Sequence, residues 1–239
     1  MSLVNVVCDF DGTITLEDVT DGLLEKFAHP SWKEIEAQWL AGQFGSRECM
    51  ARQVALINAT YEELDRYLDG VAMDPSFPAF VLDCEVLGNV GVTVVSDGID
   101  YAVKRIMRNN GLSRLAVKAN ALVRMPDNRF SLDFPHSALY CNVQAGNCKC
   151  AVAHILSSTF DSPSVTILIG DGTSDFCIAS HVDFVLAKDR LLDHCIANAL
   201  PHLPFNDFTD VRQKLTRVVG VLYPATQSLQ QLSEAPSDT

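Results

Sequence analysis

The chain has 239 residues, enough for one large domain or a core with a smaller appendage, and 48% of them are hydrophobic. Thirty acidic residues against 18 basic ones give a formal net charge of -12, a surface that repels phosphate backbones and excludes nucleic acid as an expected partner. No apolar run approaches the roughly 20 residues of a membrane-crossing helix, and the apolar start meets Asp9 without a basic leader. No membrane partner and no export signal are therefore expected, the eight cysteines read as reduced thiols, and the setting reads as cytoplasmic.

Residues 4–8 are a short β-branched apolar run that ends in Asp9-Phe10-Asp11-Gly12-Thr13. Such a run reads as a buried parallel strand, and residues two apart on a strand point the same way. Both carboxylates then face one crevice at the strand's carboxyl end, where open α/β sheets bind ligands. Like charges so close repel unless a cation lies between them, and Mg²⁺ takes oxygen ligands of this kind. The plainer reading is a strand followed by an acidic turn, since Asp-Gly is a common turn dipeptide.

From residue 16 the periodicity becomes helical. Asp18 and Asp21 suit the start of a helix through Leu23, Leu24 and Phe27; Pro30-Ser31 starts one through Trp32, Ile35 and Trp39-Leu40. Ser46 reads as the cap of a third, with Met50, Val54 and Ile57, and Tyr61 to Tyr67 as a fourth. This block is long for a crossover and reads as an inserted helical cap, residues 16–75, over a core of residues 1–15 and 76–223. Within the core, further strands are expected at Val90–Val95, Leu115–Val123, Val165–Ile169 and Phe184–Ala187, with a small hairpin and loop insert at about 117–147. Helices between them argue an α/β fold, a Rossmann-like parallel sheet covered on both faces, and the Ser-, Gln- and Pro-rich residues 224–239 read as a mobile tail.

Four strand or helix ends bring polar residues to the same edge. Asp9 has the position of a nucleophile that attacks phosphorus, and Asp11 that of the acid that protonates the leaving alcohol and then deprotonates water. Ser96-Asp97-Gly98 offers a hydroxyl and backbone N–H groups to a phosphoryl oxygen; taken alone, Ser96 reads as a helix N-cap and Asp97 as a turn or capping residue. Lys149 starts a helix and supplies positive charge that the acidic chain otherwise lacks; a lone lysine is ordinarily a solvated surface group. Asp171 and Asp175 lie in Gly170-Asp171-Gly172-Thr173-Ser174-Asp175, where Asp171 can complete a Mg²⁺ site with Asp9, and Asp175 can support the metal or orient Lys149. Acids there also suit the first turn of a helix.

In these residues the sequence resembles the haloacid dehalogenase superfamily, in its aspartate-nucleophile phosphatase branch. Asp9-Phe10-Asp11-Gly12-Thr13 is similar to the first motif, and Ser96, Lys149 and the segment from Gly170 to Asp175 to the second, third and fourth. The resemblance covers residues 4 to about 187 and implies Mg²⁺ held by the Asp9 carboxylate, the Asp11 backbone carbonyl and Asp171. It also implies Asp9 as nucleophile, Asp11 as general acid and base, and an aspartyl-phosphate intermediate. A helical cap between the first two motifs is similar to the phosphoserine-phosphatase-like subgroup. Within it, Asp133-Phe134-Pro135-His136-Ser137, the cysteine-bearing approach to Lys149 and Leu203–Phe208 resemble the methionine-salvage branch acting on 2-hydroxy-3-keto-5-methylthiopentenyl-1-phosphate.

Phosphoserine phosphatases usually carry a Glu where Asp18 falls and a cap Arg near Arg52; here the acid is shorter and the Arg offset. Asp18, Arg52 and His136 are the residues expected to select a small phosphorylated metabolite. A receiver-type phospho-accepting module also joins acids, a hydroxyl and a lysine around Mg²⁺, but it is shorter and has no use for Asp11. Cys141, Cys148, Cys150 and His136 can be read as zinc ligands or as inert thiols and a loop histidine. The assembly is expected to be a monomer or homodimer.

Overall fold

A seven-stranded sheet in the order β4-β3-β2-β1-β5-β6-β7 forms the spine of the computed structural model, which describes residues 4–158 and 164–222. Its strands are β1 (Val4–Cys8), β2 (Val90–Ile99), β3 (Ala116–Arg124), β4 (Phe130–Asp133), β5 (Val165–Gly170), β6 (Phe184–Ala187) and β7 (His202–Pro204). Neighbours run parallel except in the β3–β4 hairpin. The helices are α1 (Val19–Phe27), α2 (Trp32–Leu40), α3 (Ser46–Val54), α4 (Tyr61–Leu68), α5 (Phe77–Leu87), α6 (Asp100–Asn109), α7 (Lys149–Ser158), α8 (Phe176–Ala179), α9 (Asp189–Ala197) and α10 (Phe208–Leu222). None of the described helices is long and apolar enough to cross a membrane.

All five residues of β1 are buried, as a strand with neighbours on both sides requires. The chain leaves β1, builds outward through β2 and β3, then returns to the opposite side of β1 as β5. That reversal opens a crevice at the carboxyl end of β1. Cys8 pairs with Val94 on one side and Ile169 on the other, so Asp9 after β1, Ser96 within β2 and Asp171 after β5 stand at nearly the same height on three adjacent strands.

Helices α1 to α4 lie between β1 and the return through α5. Asp18 caps α1, accepting from the Asp21 N–H at 2.8 Å, and Thr60 and Glu63 form a reciprocal capping box on α4. The cap of α3 is Gly45 rather than Ser46, and Ile57 lies beyond that helix, in a bridge with Ala28. A Cβ on Gly45 would stand 2.5 Å from Cβ of Gln144, so a glycine lets the 143–144 loop close on α3. There the Arg47 N–H donates to the Gln144 carbonyl at 3.0 Å.

Two other expectations are corrected, and one strand is added. Strand β2 continues through Ser96, Asp97 and Gly98 to Ile99, and α6 has Ile99 at its cap position, so neither Ser96 nor Asp97 is a helix cap. The helix after the fourth motif is a single turn, Phe176–Ala179, behind a 3₁₀ turn at Thr173–Asp175. Strand β7 was not expected, because three residues that include His and Pro carry no strand pattern; it lies at the sheet edge, where a proline removes no needed donor. The expected tail at 224–239 falls outside the described residues.

Beneath this edge Phe208 packs its ring 4.7 Å from Phe77 and 5.1 Å from Phe80, measured between centroids. Asp74 accepts from the Phe208 N–H and from both the N–H and hydroxyl of Ser76, joining the start of α10 to the approach to α5. Phe208 is 0% exposed. Truncation in Phe208→Ala is expected to cost about 3–5 kcal/mol, read as a lower urea midpoint with an unchanged slope.

Candidate active site

Lys149 lies at the centre of the crevice. Its Nζ stands 2.7 Å from Asp9 Oδ1, 2.7 Å from Asp175 Oδ1 and 2.9 Å from the Ser174 hydroxyl. Lys149 is 4% exposed, Asp9 5% and Asp175 0%, so water contributes little to holding these charges. The Phe10 N–H also donates to Asp9 Oδ1, at 2.8 Å, which fixes the orientation of that carboxylate. Asp11 accepts from the Val19 N–H at 2.9 Å and from the Ser96 hydroxyl at 3.1 Å. The same Ser96 oxygen accepts from the Gly98 N–H at 2.9 Å.

Glycine is required at 98 by space. A Cβ there would stand 2.7 Å from Thr20 Oγ1 and 2.8 Å from Asp11 Oδ2. At Gly12 both conformation and space decide: φ is +71°, and a Cβ would meet Asp171 Oδ2 at 2.6 Å. Thr13 donates its hydroxyl to Asp171 Oδ1 at 2.6 Å.

Oxygens of Asp9, Asp171 and Asp175 all lie within 4.8 Å of one another. One lysine among this many buried carboxylates leaves a surplus of negative charge, made of hard oxygen donors, and that donor set fits Mg²⁺. Burial, then the charges of Asp18 and Asp9, push Asp11 up to about 8, which keeps a proton on it at neutral pH. Burial also raises Asp175, with Asp9 adding to the effect, and pushes Asp97 up to about 6. For Lys149 burial opposes the charged form, but Asp175 and Asp9 outweigh it and hold the ammonium above its ordinary value.

A cavity of about 600 Å³ opens over these groups. Asp9, Asp11, Asp97, Gly98 and Asp171 line its floor; Asp18, Asp21, Glu36, Trp39, Cys49, Met50 and Gln53 line the side formed by α1 to α3. Asp18 is thus placed at the cavity. Arg52 and His136 are not among the lining residues. Arg52 pairs with Glu48 at 2.5 Å and lies over the Phe44 ring, while the His136 carbonyl accepts from the Cys148 N–H at 3.0 Å. The cysteines also arrange differently from the sequence reading: Cys148 interacts with Cys141, whereas the Cys150 thiol turns to Cys177, 3.1 Å away.

Two supports were not anticipated. Asn147 donates to the carbonyls of Ser96 and Lys118, both at 2.7 Å, and Asn120 donates to the carbonyl of Asp97. They hold the irregular end of β2 against β3 and the start of α7. Asn147 lies two residues before Lys149, but a single asparagine in a polar loop carries no signal of its own. Thr13 lies inside the first motif and was legible only as part of it.

A family model described as haloacid dehalogenase-like hydrolase matches residues 6–180. The chain belongs to this family. It is a phosphatase acting on small phosphorylated metabolites, which sets aside the receiver-type alternative. A relative from Exiguobacterium sp., named 2-hydroxy-3-keto-5-methylthiopentenyl-1-phosphate phosphatase, is 30% identical over 210 residues, covering 87% of this chain and 94% of the relative. One of the same name from Bacillus cereus is 28% identical and covers 91% and 98%. Among solved structures, a phospho-aspartyl intermediate analogue of phosphoserine phosphatase aligns with a TM-score of 0.66 at 17% identity, covering 91% of this chain and 99% of that one. That likeness shows the shared Rossmann-like fold.

Lys149→Ala leaves Asp9 and Asp175 facing each other without their cation, and stability is expected to fall by about 3–5 kcal/mol. The double change Lys149→Ala/Asp175→Ala is expected to recover part of that loss in thermal melts without Mg²⁺.

Proposed function

We propose that the chain is a Mg²⁺-dependent phosphomonoesterase working through an aspartyl-phosphate on Asp9, and that its substrate is 2-hydroxy-3-keto-5-methylthiopentenyl-1-phosphate or a close analogue. In this reading Asp9 forms a bond to phosphorus while the ester oxygen leaves. Asp11, carrying a proton near neutrality, gives it to the departing alkoxide and later takes one from the attacking water. Lys149 and the Ser96–Gly98 backbone meet charge on the phosphoryl oxygens. Asp9, the Asp11 backbone carbonyl and Asp171 would hold Mg²⁺, which when bound neutralises phosphoryl charge and opposes carboxylate repulsion. Residues 16–75 act as the cap that excludes water and selects the leaving group. A cytoplasmic setting belongs to the same reading.

The composition of the cavity carries the substrate choice. A phosphoserine substrate brings a carboxylate that needs a cation, and Arg190, from α9, is the one basic side chain among the lining residues. The α1–α3 side offers Asp21 and Glu36, which repel phosphoserine's carboxylate but attract its ammonium, beside Trp39, Cys49 and Met50, which offer neither group a partner. A methylthio group is soft and apolar and suits that second set. The names of the Exiguobacterium and Bacillus relatives point the same way.

Asp9→Asn is expected to lower turnover at least roughly 1,000-fold while the fold is kept; wild-type-like activity would overturn the mechanism. Asp11→Asn should slow alkyl phosphates more than p-nitrophenyl phosphate, whose leaving group needs no proton; equal losses would remove its acid role. In a panel of phosphorylated metabolites, kcat/KM for the methylthio substrate should exceed that for phosphoserine. Trp39→Ala should reduce it by roughly tenfold, mainly through KM, with little change for p-nitrophenyl phosphate. A preference for phosphoserine would reject the substrate assignment and leave the phosphatase chemistry standing.

A further inference from the structure

A second cluster of ligating groups lies apart from the phosphatase cavity. Ligand atoms of Cys150, Cys177 and His181 all lie within 4.8 Å of one another. The two sulfurs are 3.1 Å apart, with the Cys150 thiol donating to Cys177. Cys150 and Cys177 are half-buried and His181 is exposed, so an ion can reach them. They line a cavity of about 600 Å³ that shares no lining residue with the one above Asp9. Cys141, Cys148, His154 and Asp183 line it too.

One ring nitrogen of His181 is already engaged by the backbone. His181 Nδ1 lies 2.8 Å from the Cys177 carbonyl, which only accepts, so Nδ1 carries the proton and Nε2 keeps a lone pair. Metal-ligating histidines are usually oriented by such a bond from the other ring nitrogen to a carbonyl. In a tetrahedral zinc site, sulfurs about 2.3 Å from the ion stand roughly 3.8 Å apart, so these two need to part by less than about 1 Å.

We propose that Cys150, Cys177 and His181 form a site for a thiophilic divalent ion such as Zn²⁺, distinct from the acidic centre that would hold Mg²⁺. Two thiols, one imidazole and no carboxylate are a donor set that favours a soft ion over Mg²⁺. On binding, both thiols release their protons to solvent, the imidazole stays neutral and no electrons move. A water or a further side chain from the cavity wall completes the coordination. The ion would join α7 to α8. Cys150 follows Lys149 directly and Cys177 comes two residues after Asp175, so it would clamp the helix that carries Lys149 to the one that directly follows Asp175.

The test uses the full chain, kept reduced with a phosphine in excess Mg²⁺, with Zn²⁺ titrated against a chromophoric chelator. Co²⁺ serves as a second probe, read by its thiolate charge-transfer band. One equivalent of Zn²⁺ should bind, and Cys177→Ser and His181→Ala should each weaken it roughly 100-fold and abolish or alter the Co²⁺ band. Without added Zn²⁺, both variants should turn over p-nitrophenyl phosphate with Mg²⁺ within about twofold of the parent chain, since neither residue lines the phosphoryl cavity. Equal affinity in parent and variants would overturn the proposal. So would zinc binding that is lost only in Asp171→Asn, which places the ion in the phosphatase site.

Discussion

The site depends on one buried ammonium held between two buried carboxylates. Lys149 touches both Asp9 and Asp175 in a place almost closed to water. Burial alone would strip its charge, and the two acids restore it. The same contacts align Asp9 from below, while the Phe10 N–H aligns it from its own strand. Two chain segments far apart in sequence, around residue 10 and at Lys149, thus fix a single oxygen. Glycine at positions 12 and 98 follows from this crowding, since a Cβ at either would collide with a site carboxylate.

Around this charged floor the helices α1 to α3 supply a wall of different character. Asp21 and Glu36 belong to it, yet the Trp39, Cys49 and Met50 side chains give it apolar, polarisable surface. Glu36 is itself held, accepting from Gln53 at 2.7 Å, so its charge faces a fixed partner rather than roaming the cavity. Specificity in such a site comes as much from what the wall repels as from what it attracts. The wall is closed on its far side by the 143–144 loop, which packs on Gly45 and brings Val143 to the cavity.

The sheet and its acids were legible because strands flanked on both sides must be apolar throughout, and the charged residues at their ends therefore stand out. Asp9, Asp11, Asp171 and Asp175 all follow such boundaries, whereas Lys149 opens a helix. The extent of β2 was hidden, because Ser-Asp-Gly reads as a turn, and the strand meets β3 again only at Ile99, past an irregularity that Asn147 and Asn120 hold in place. Asn147 and Asn120 were hidden because their work is done on distant carbonyls, a tertiary fact with no local periodicity. Arg52 illustrates the reverse case. Its position suggested a substrate contact, but a glutamate one helical turn away and the Phe44 ring hold it. The pairing of Cys150 with Cys177 needed the fold, since 27 positions separate them in the chain.

The Asp74 carboxylate has a consequence for how the protein is made. It ties the approach to α5 to the first residue of α10, and Phe208 closes over Phe77 and Phe80 at the same point. A nascent chain emerges in order, so those two rings lack the cover of Phe208 until α10 has left the ribosome. The strands β1, β2 and β5 can pair earlier, but the greasy seam behind them cannot. Chaperone engagement should therefore be longest over the interval between synthesis of residue 80 and synthesis of residue 208.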